Sequence, residues 1–142
     1  MAFERVYTVS DFFDGPRSGV ADFSGRPHHY ACEWDDGADE YAETFALREI
    51  DNGTLALVLK QWEIWRQWEY AFHRGLVSRE THPGLPGNHP RYVQLKVEIA
   101  ARVANGPSEP TRARAEFRVD PHMRADLPAG TMQTLQVQWE VV

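Results

Sequence analysis

An α+β fold is expected for this chain: a mostly antiparallel sheet of about five strands, with one long Trp-rich helix and a second helix on one face. Three observations predict it. Apolar and polar residues alternate strictly in the last third of the chain. An uninterrupted helical stretch occupies the middle, between a turn-forming Asp51-Asn52-Gly53 and Gly75. The order of elements is strands, then helices, then strands. With 142 residues, 42% of them hydrophobic, one domain over residues 1–142 is expected.

Each element follows from its own pattern. Residues 4–9 alternate weakly and form a short strand. Residues 10–27 carry Asp14-Gly15-Pro16, Gly19 and Gly25, a density of Gly and Pro that predicts turns and irregular loop. Residues 28–34 form a second strand, with His28, Tyr30, Cys32 and Trp34 on one side and His29, Ala31 and Glu33 on the other. Residues 41–50 form a third, with Phe45 and Leu47 as its apolar members. The helix over 54–74 takes its N-cap oxygen from Asp51, Asn52 or Thr54, and Gly75 ends it. Residues 75–90, rich in Gly and Pro, form a loop. Residues 91–105 fit either period. Pro90 at the start, Ala100-Ala101 inside and Gly106-Pro107 after it favour a helix. Two alternating strands, 112–119 and 135–141, close the chain as a long hairpin.

Charge and composition exclude several classes. The net charge is −6, lysine is confined to Lys60 and Lys96, and the arginines are spread out, so nucleic acid is not an expected partner. No apolar run approaches the ~20 residues of a membrane span, and Met1-Ala2-Phe3-Glu4-Arg5 lacks the order of a signal peptide. The single Cys32 cannot form an internal disulfide. A soluble, cytoplasmic protein is expected. The acidic block from Glu33 to Glu40 reads as a solvated turn and does not match a calcium loop.

The helix carries Trp62, Trp65 and Trp68, which with Leu57, Val58, Ile64 and Phe72 cover an apolar arc of about 160°. Such an arc either forms the main core or lines an apolar pocket. Gln61 and Glu69 interrupt it, and Glu69 requires a partner if buried. Candidate partners are His28, His29, His73 or an Arg from the sheet. No His/Cys spacing matches a metal motif, and neither metal nor cofactor is expected. Cys32 lacks a recognisable nucleophile motif.

The segment 7–28 mixes turn formers with Phe12, Phe13 and Phe23, and can present Asp14, Arg17, Asp22, Arg26 and His28 to a ligand or pair them internally. Together with Gln61-Trp62-Glu63-Ile64-Trp65-Arg66-Gln67-Trp68-Glu69 and Phe72-His73-Arg74-Gly75, it resembles a set of small bacterial proteins of uncharacterised function. The resemblance covers the first half of the chain. It implies a bacterial origin and a single compact domain, and it carries no activity or catalytic residue. Arg112, Arg114 and Arg118 share one face of a strand, as solvated charges beside Glu116 and Glu140 or as a surface for an anion.

Three functions are compatible with these residues. The first is a binding or interaction module for a small molecule or protein. Its pocket lies between the Trp helix and the N-terminal loop, lined by Trp62, Trp65, Glu69, Arg17, Asp22, Arg26 and His28. A symmetric homodimer through the terminal strand suits the same reading. The second is a hydrolase or isomerase using Glu69 or Asp14 with a nearby His such as His28. The third is an acidic inhibitor or immunity-type partner of a basic protein.

Overall fold

The computed structural model describes residues 2–106, 109–122 and 127–142. Its elements run β1 (Glu4–Phe12), β2 (Pro16–Phe23), β3 (Arg26–Asp35), β4 (Glu40–Glu49), α1 (Asn52–His73), a 3-10 turn (Arg79–Thr81), α2 (Pro90–Ala104), β5 (Thr111–Val119) and β6 (Leu135–Val141). The strands pair in chain order and close into a six-stranded antiparallel barrel. This corrects the expected open sheet of about five strands with helices on one face. Pro107, read as part of a helix stop, and residues 123–126 of the last connection lie outside the described residues.

The added strand is β2, in the stretch read as irregular loop. Its glycines serve two purposes. Asp14 and Gly15 take positive φ in the β1–β2 turn, and Ser24 and Gly25 take positive φ between the paired Phe23 and Arg26. Two consecutive positive-φ residues make the tight turn that matches strand twist. The Glu4 carboxylate accepts from the Ser24 and Gly25 amides at 3.1 and 2.7 Å. Gly19, inside the strand, lies against the Tyr30 hydroxyl and the Thr8 carbonyl, where no side chain fits.

Alternation then sorts the residues. Tyr30, Phe45, Phe117 and Trp139 point inward and contact one another pairwise, with centroids 5.7–6.1 Å apart. Small inward residues, Gly19, Ala21 and Ala113, make room for them. The interior is thus a packed core, as in other small barrels. The main core lies inside the barrel and not along the Trp helix, whose Trp62, Trp65 and Trp68 are only partly buried.

Closure at the seam is narrow. β1 meets β6 through Glu4↔Val137 and Arg5↔Gln136, while β6 pairs with β5 along its whole length. α1 is tied to Met132, in the connection that leads into β6. Buried Glu69 accepts from Arg66 at 2.6 Å and from the Met132 amide at 2.9 Å, and Arg66 donates to the Met132 carbonyl at 2.7 Å. The partner of Glu69 is therefore an arginine of its own helix and a backbone amide, neither a histidine nor a sheet arginine.

The two helices are inserted between β4 and β5 as a hairpin against the outside of the barrel. Asp51 is the N-cap of α1, accepting from the Thr54 amide at 2.7 Å. At the other end Gly75 (φ 74°) and Leu76 donate to Phe72 and Ala71, the paired bonds of a Schellman stop. α2 starts with Pro90 at its first turn and the His89 ring accepting from the Tyr92 amide. Val20 and Tyr7 on the outer sheet face, Val58 and Leu55 on α1, and Ile99 and Val103 on α2 form a second apolar cluster that fastens the hairpin to the barrel. Among the described residues no helix is long and apolar enough to cross a membrane.

Candidate functional site

A cleft of about 1170 Å³ lies between the outer face of the barrel and the helical hairpin. Its floor is one cross-strand row. Thr8, Val20, His29 and Arg48 are direct neighbours on β1, β2, β3 and β4, and all four line the cleft. They face outward because the adjacent residues Tyr30 and Leu47 belong to the core. At Thr8 the register of β1 shifts, and the Thr8 hydroxyl accepts from the Val20 amide at 2.9 Å. A bulge of this kind re-aims side chains beside a site.

The walls come from the helices. α1 contributes Val58, Gln61, Trp62 and Trp65, and α2 contributes Tyr92, Lys96 and Ile99. Trp62 and Trp65 stack at 5.0 Å with an interplanar angle of 25°. Arg66 lies over Trp62 at 4.9 Å while it holds Glu69, so the clamp that docks α1 also orients the ring. Ser10, Asp11 and Phe12 form part of the rim, and His82 and Leu85 reach it from the connection between the helices. Trp68 faces that connection. It stacks on Phe72, meets His82 edge-on at 4.7 Å, and donates to the Thr81 hydroxyl at 2.8 Å.

Electrostatics distinguish the floor from the rest of the surface. The charged lining residues are Arg48, Lys96 and Asp11. Burial, and then the Arg48 charge, lower the pKa of His29 below its ordinary value, so its imidazole is neutral at pH 7. Burial raises the Tyr92 phenol, which stays protonated. The site thus offers aromatic and aliphatic surface with two cations, one carboxylate and neutral polar groups.

Of the residues singled out from sequence, Trp62 and Trp65 line the cleft, and so does Gln61, one of the two interruptions of the stripe. Glu69 is held against Arg66 and Met132, outside the lining. His28 packs edge-on to Phe23 at 5.2 Å, its ring bonded to the Arg26 carbonyl. Asp14 stands in the exposed β1–β2 turn. The structure sets these three apart from one another. Arg17 lies over Tyr41 at 4.5 Å and donates to the Phe13 carbonyl. Asp22 accepts the Trp139 indole through its carbonyl, and Arg26 pairs with Glu49 at 3.3 Å. The outer arginines of β5 have partners: Arg112 bonds Glu33 at 2.8 Å, Arg114 lies near Glu43 and Glu140, and Arg118 bonds Gln136 and covers Phe3.

Sequence reasoning missed His29, Arg48, Tyr92 and Lys96. Alternation assigns His29 to the face opposite Tyr30, which was legible. That a helical hairpin covers this outer face was not. Among the described residues no group of three or more His, Cys, Asp or Glu gathers as metal ligands. Comparison with protein-family models, with curated proteins and with solved structures gives no match.

Proposed function

We propose that this protein is a small-molecule-binding module whose ligand occupies the cleft between the barrel's outer face and the α1–α2 hairpin. The observation that carries this reading is the cleft itself, about 1170 Å³ and walled by the stacked Trp62 and Trp65, beside a barrel interior filled by its own aromatic rings. Large, mostly apolar concavities with a few convergent polar groups are the usual form of a ligand site. The acid/base reading has less support, because Glu69, His28 and Asp14 do not converge. A thermal-shift screen against a metabolite library tests the proposal. A ligand of the folded state raises the midpoint, and Trp65→Ala abolishes the shift while the variant stays folded. A hit whose shift survives Trp65→Ala, or no hit at all, counts against the cleft.

A second reading rests on one other observation. At the end of the barrel Phe12, Phe13 and Trp34 are 56%, 66% and 51% exposed, and Tyr41 bridges Phe13 and Trp34. The acidic turn at Asp35, Asp36, Asp39 and Glu40 flanks them. Exposed aromatics beside negative charge suit a basic protein partner. Salt-sensitive binding of a basic protein, lost in a Phe13→Ser/Trp34→Ser double variant, is the expected result on this reading.

A further inference from the structure

We infer that the cleft takes an uncharged, planar ring system with a hydrogen-bonding edge: a heteroaromatic or aryl amide, imide or phenol that is neutral at pH 7. This rests on the cleft being a binding site and narrows what binds there.

The lining is rich in rings. Trp62 and Trp65 come from α1, Tyr92 from α2 and His29 from β3, and all four are half-buried where they border the cleft. Aromatic pairs gain beyond their buried area when rings meet in offset or edge-to-face geometry. A flat aromatic body uses these surfaces more fully than a flexible aliphatic chain.

Three of the lining residues hold open hydrogen-bonding groups. Among the described residues, the Gln61 carboxamide, the His29 imidazole and the Tyr92 hydroxyl have no hydrogen-bond partner in the protein. Their polar atoms are not among the fully enclosed unpaired ones, Asp22 Oδ1 and Thr131 Oγ1, so each keeps surface that a ligand can reach. Half-buried polar groups normally find partners. Here the floor, one wall and the opposite wall each bring one to the same cavity. The carboxamide both donates and accepts, the phenol does the same, and the neutral imidazole adds one donor and one acceptor. A ligand edge carrying both N–H or O–H and carbonyl or ring-nitrogen groups satisfies them.

Charge in the lining is already balanced. Arg48 has a partner of its own. The other two charges, Lys96 and Asp11, are opposite in sign and exposed. An ionised ligand would give up hydration in the cleft without an unopposed counter-charge, a cost that a neutral one avoids.

A matched pair of probes tests this. Phenazine-1-carboxamide and phenazine-1-carboxylate share one planar tricycle and nearly one shape, and at neutral pH only the second is charged. Binding is read by quenching of tryptophan fluorescence and by calorimetry. The expected result is one saturable site that prefers the amide about tenfold. Gln61→Met and Tyr92→Phe each weaken the amide several-fold, as loss of one neutral hydrogen bond does. Trp65→Ala weakens both probes. Near-ultraviolet circular dichroism verifies that each variant is folded. Tyr92→Phe removes only a hydroxyl, so it carries the test should Gln61→Met not fold. A carboxylate bound as tightly as the amide, or more so, overturns the neutral-ligand inference. An amide indifferent to both Gln61→Met and Tyr92→Phe overturns the hydrogen-bonding edge. Either result leaves the cleft reading standing. Failure of both probes to bind, or indifference of both to Trp65→Ala, overturns the two together.

Discussion

At the scale of single residues, Gly19 and Tyr30 depend on each other. A Cβ at Gly19 would run into the Thr8 carbonyl oxygen and stand 2.6 Å from the Tyr30 hydroxyl, and its φ of +157° strains any other residue. The Tyr30 hydroxyl donates to the Thr8 carbonyl at 2.9 Å from a fully buried ring. Gly19→Ala is expected to cost about 3 kcal/mol, an overpacking effect read by urea denaturation. Tyr30→Phe keeps the ring and removes one buried hydrogen bond, a loss of about 1 kcal/mol in the same assay. Glu69 is a sharper case. Its side chain and that of Arg66 are 5% and 11% exposed, so Glu69→Gln leaves a buried cation without its counter-charge. A loss of about 3 kcal/mol is expected, while Glu63→Gln on the exposed side of the same helix changes little.

His29 supplies a pH dependence with a definite sign. Burial and Arg48 hold its pKa below the ordinary 6.5. Above that value the imidazole is neutral in both the folded and the unfolded chain, and the group contributes nothing to the slope. As pH falls below about 6.5, the unfolded chain binds a proton that the folded one resists, so stability drops until the folded pKa is reached. In His29→Gln this part of the acid slope is absent, as denaturation midpoints compared between pH 7 and pH 5 would reveal.

At the scale of elements, the outer face of β5 illustrates charge without energy. Arg112 bonds Glu33 at 2.8 Å, and that contact, with the Thr44 hydroxyl, holds the Glu33 carboxyl below its usual pKa. The arginine side chain is still 59% exposed, and exposed pairs are worth little. Arg112→Ala is expected to shift stability by less than about 1 kcal/mol in chemical denaturation. Most elements were legible for local reasons: alternation in β3 to β6, and a cap, an unbroken period and a terminal glycine in α1. β2 was not, because the glycine that admits Tyr30 and the Pro16 at its start look like turn residues when the partner strands are unknown. The role of the Trp stripe was legible only in part. Helical period identifies an apolar arc, but a cleft wall and a core require the same residues.

At the scale of the whole molecule, barrel closure was the least legible feature. Strands alternate identically in open and closed sheets, and the deciding contact joins Glu4 to Val137 from opposite ends of the sequence. The candidate site inherits this limit. Arg48 and His29 become floor residues only once four strands are in register and the inserted hairpin folds back over them. The seam also orders the stability of the parts. Amides of the two β1–β6 pairs are expected to exchange with deuterium well before those of the β2–β3 ladder, which spans six pairs.

The narrow seam carries a further consequence. A barrel has no free strand edges only while it stays shut, and here β1 and β6 are joined at only two paired positions. Opening these two pairs would convert the closed sheet into an open one, with β1 and β6 as two unprotected edges ready to template pairing between molecules. An Arg5→Pro protein, which weakens one of the two seam pairs, warmed below its unfolding midpoint should form β-rich assemblies faster than the parent at equal fraction folded.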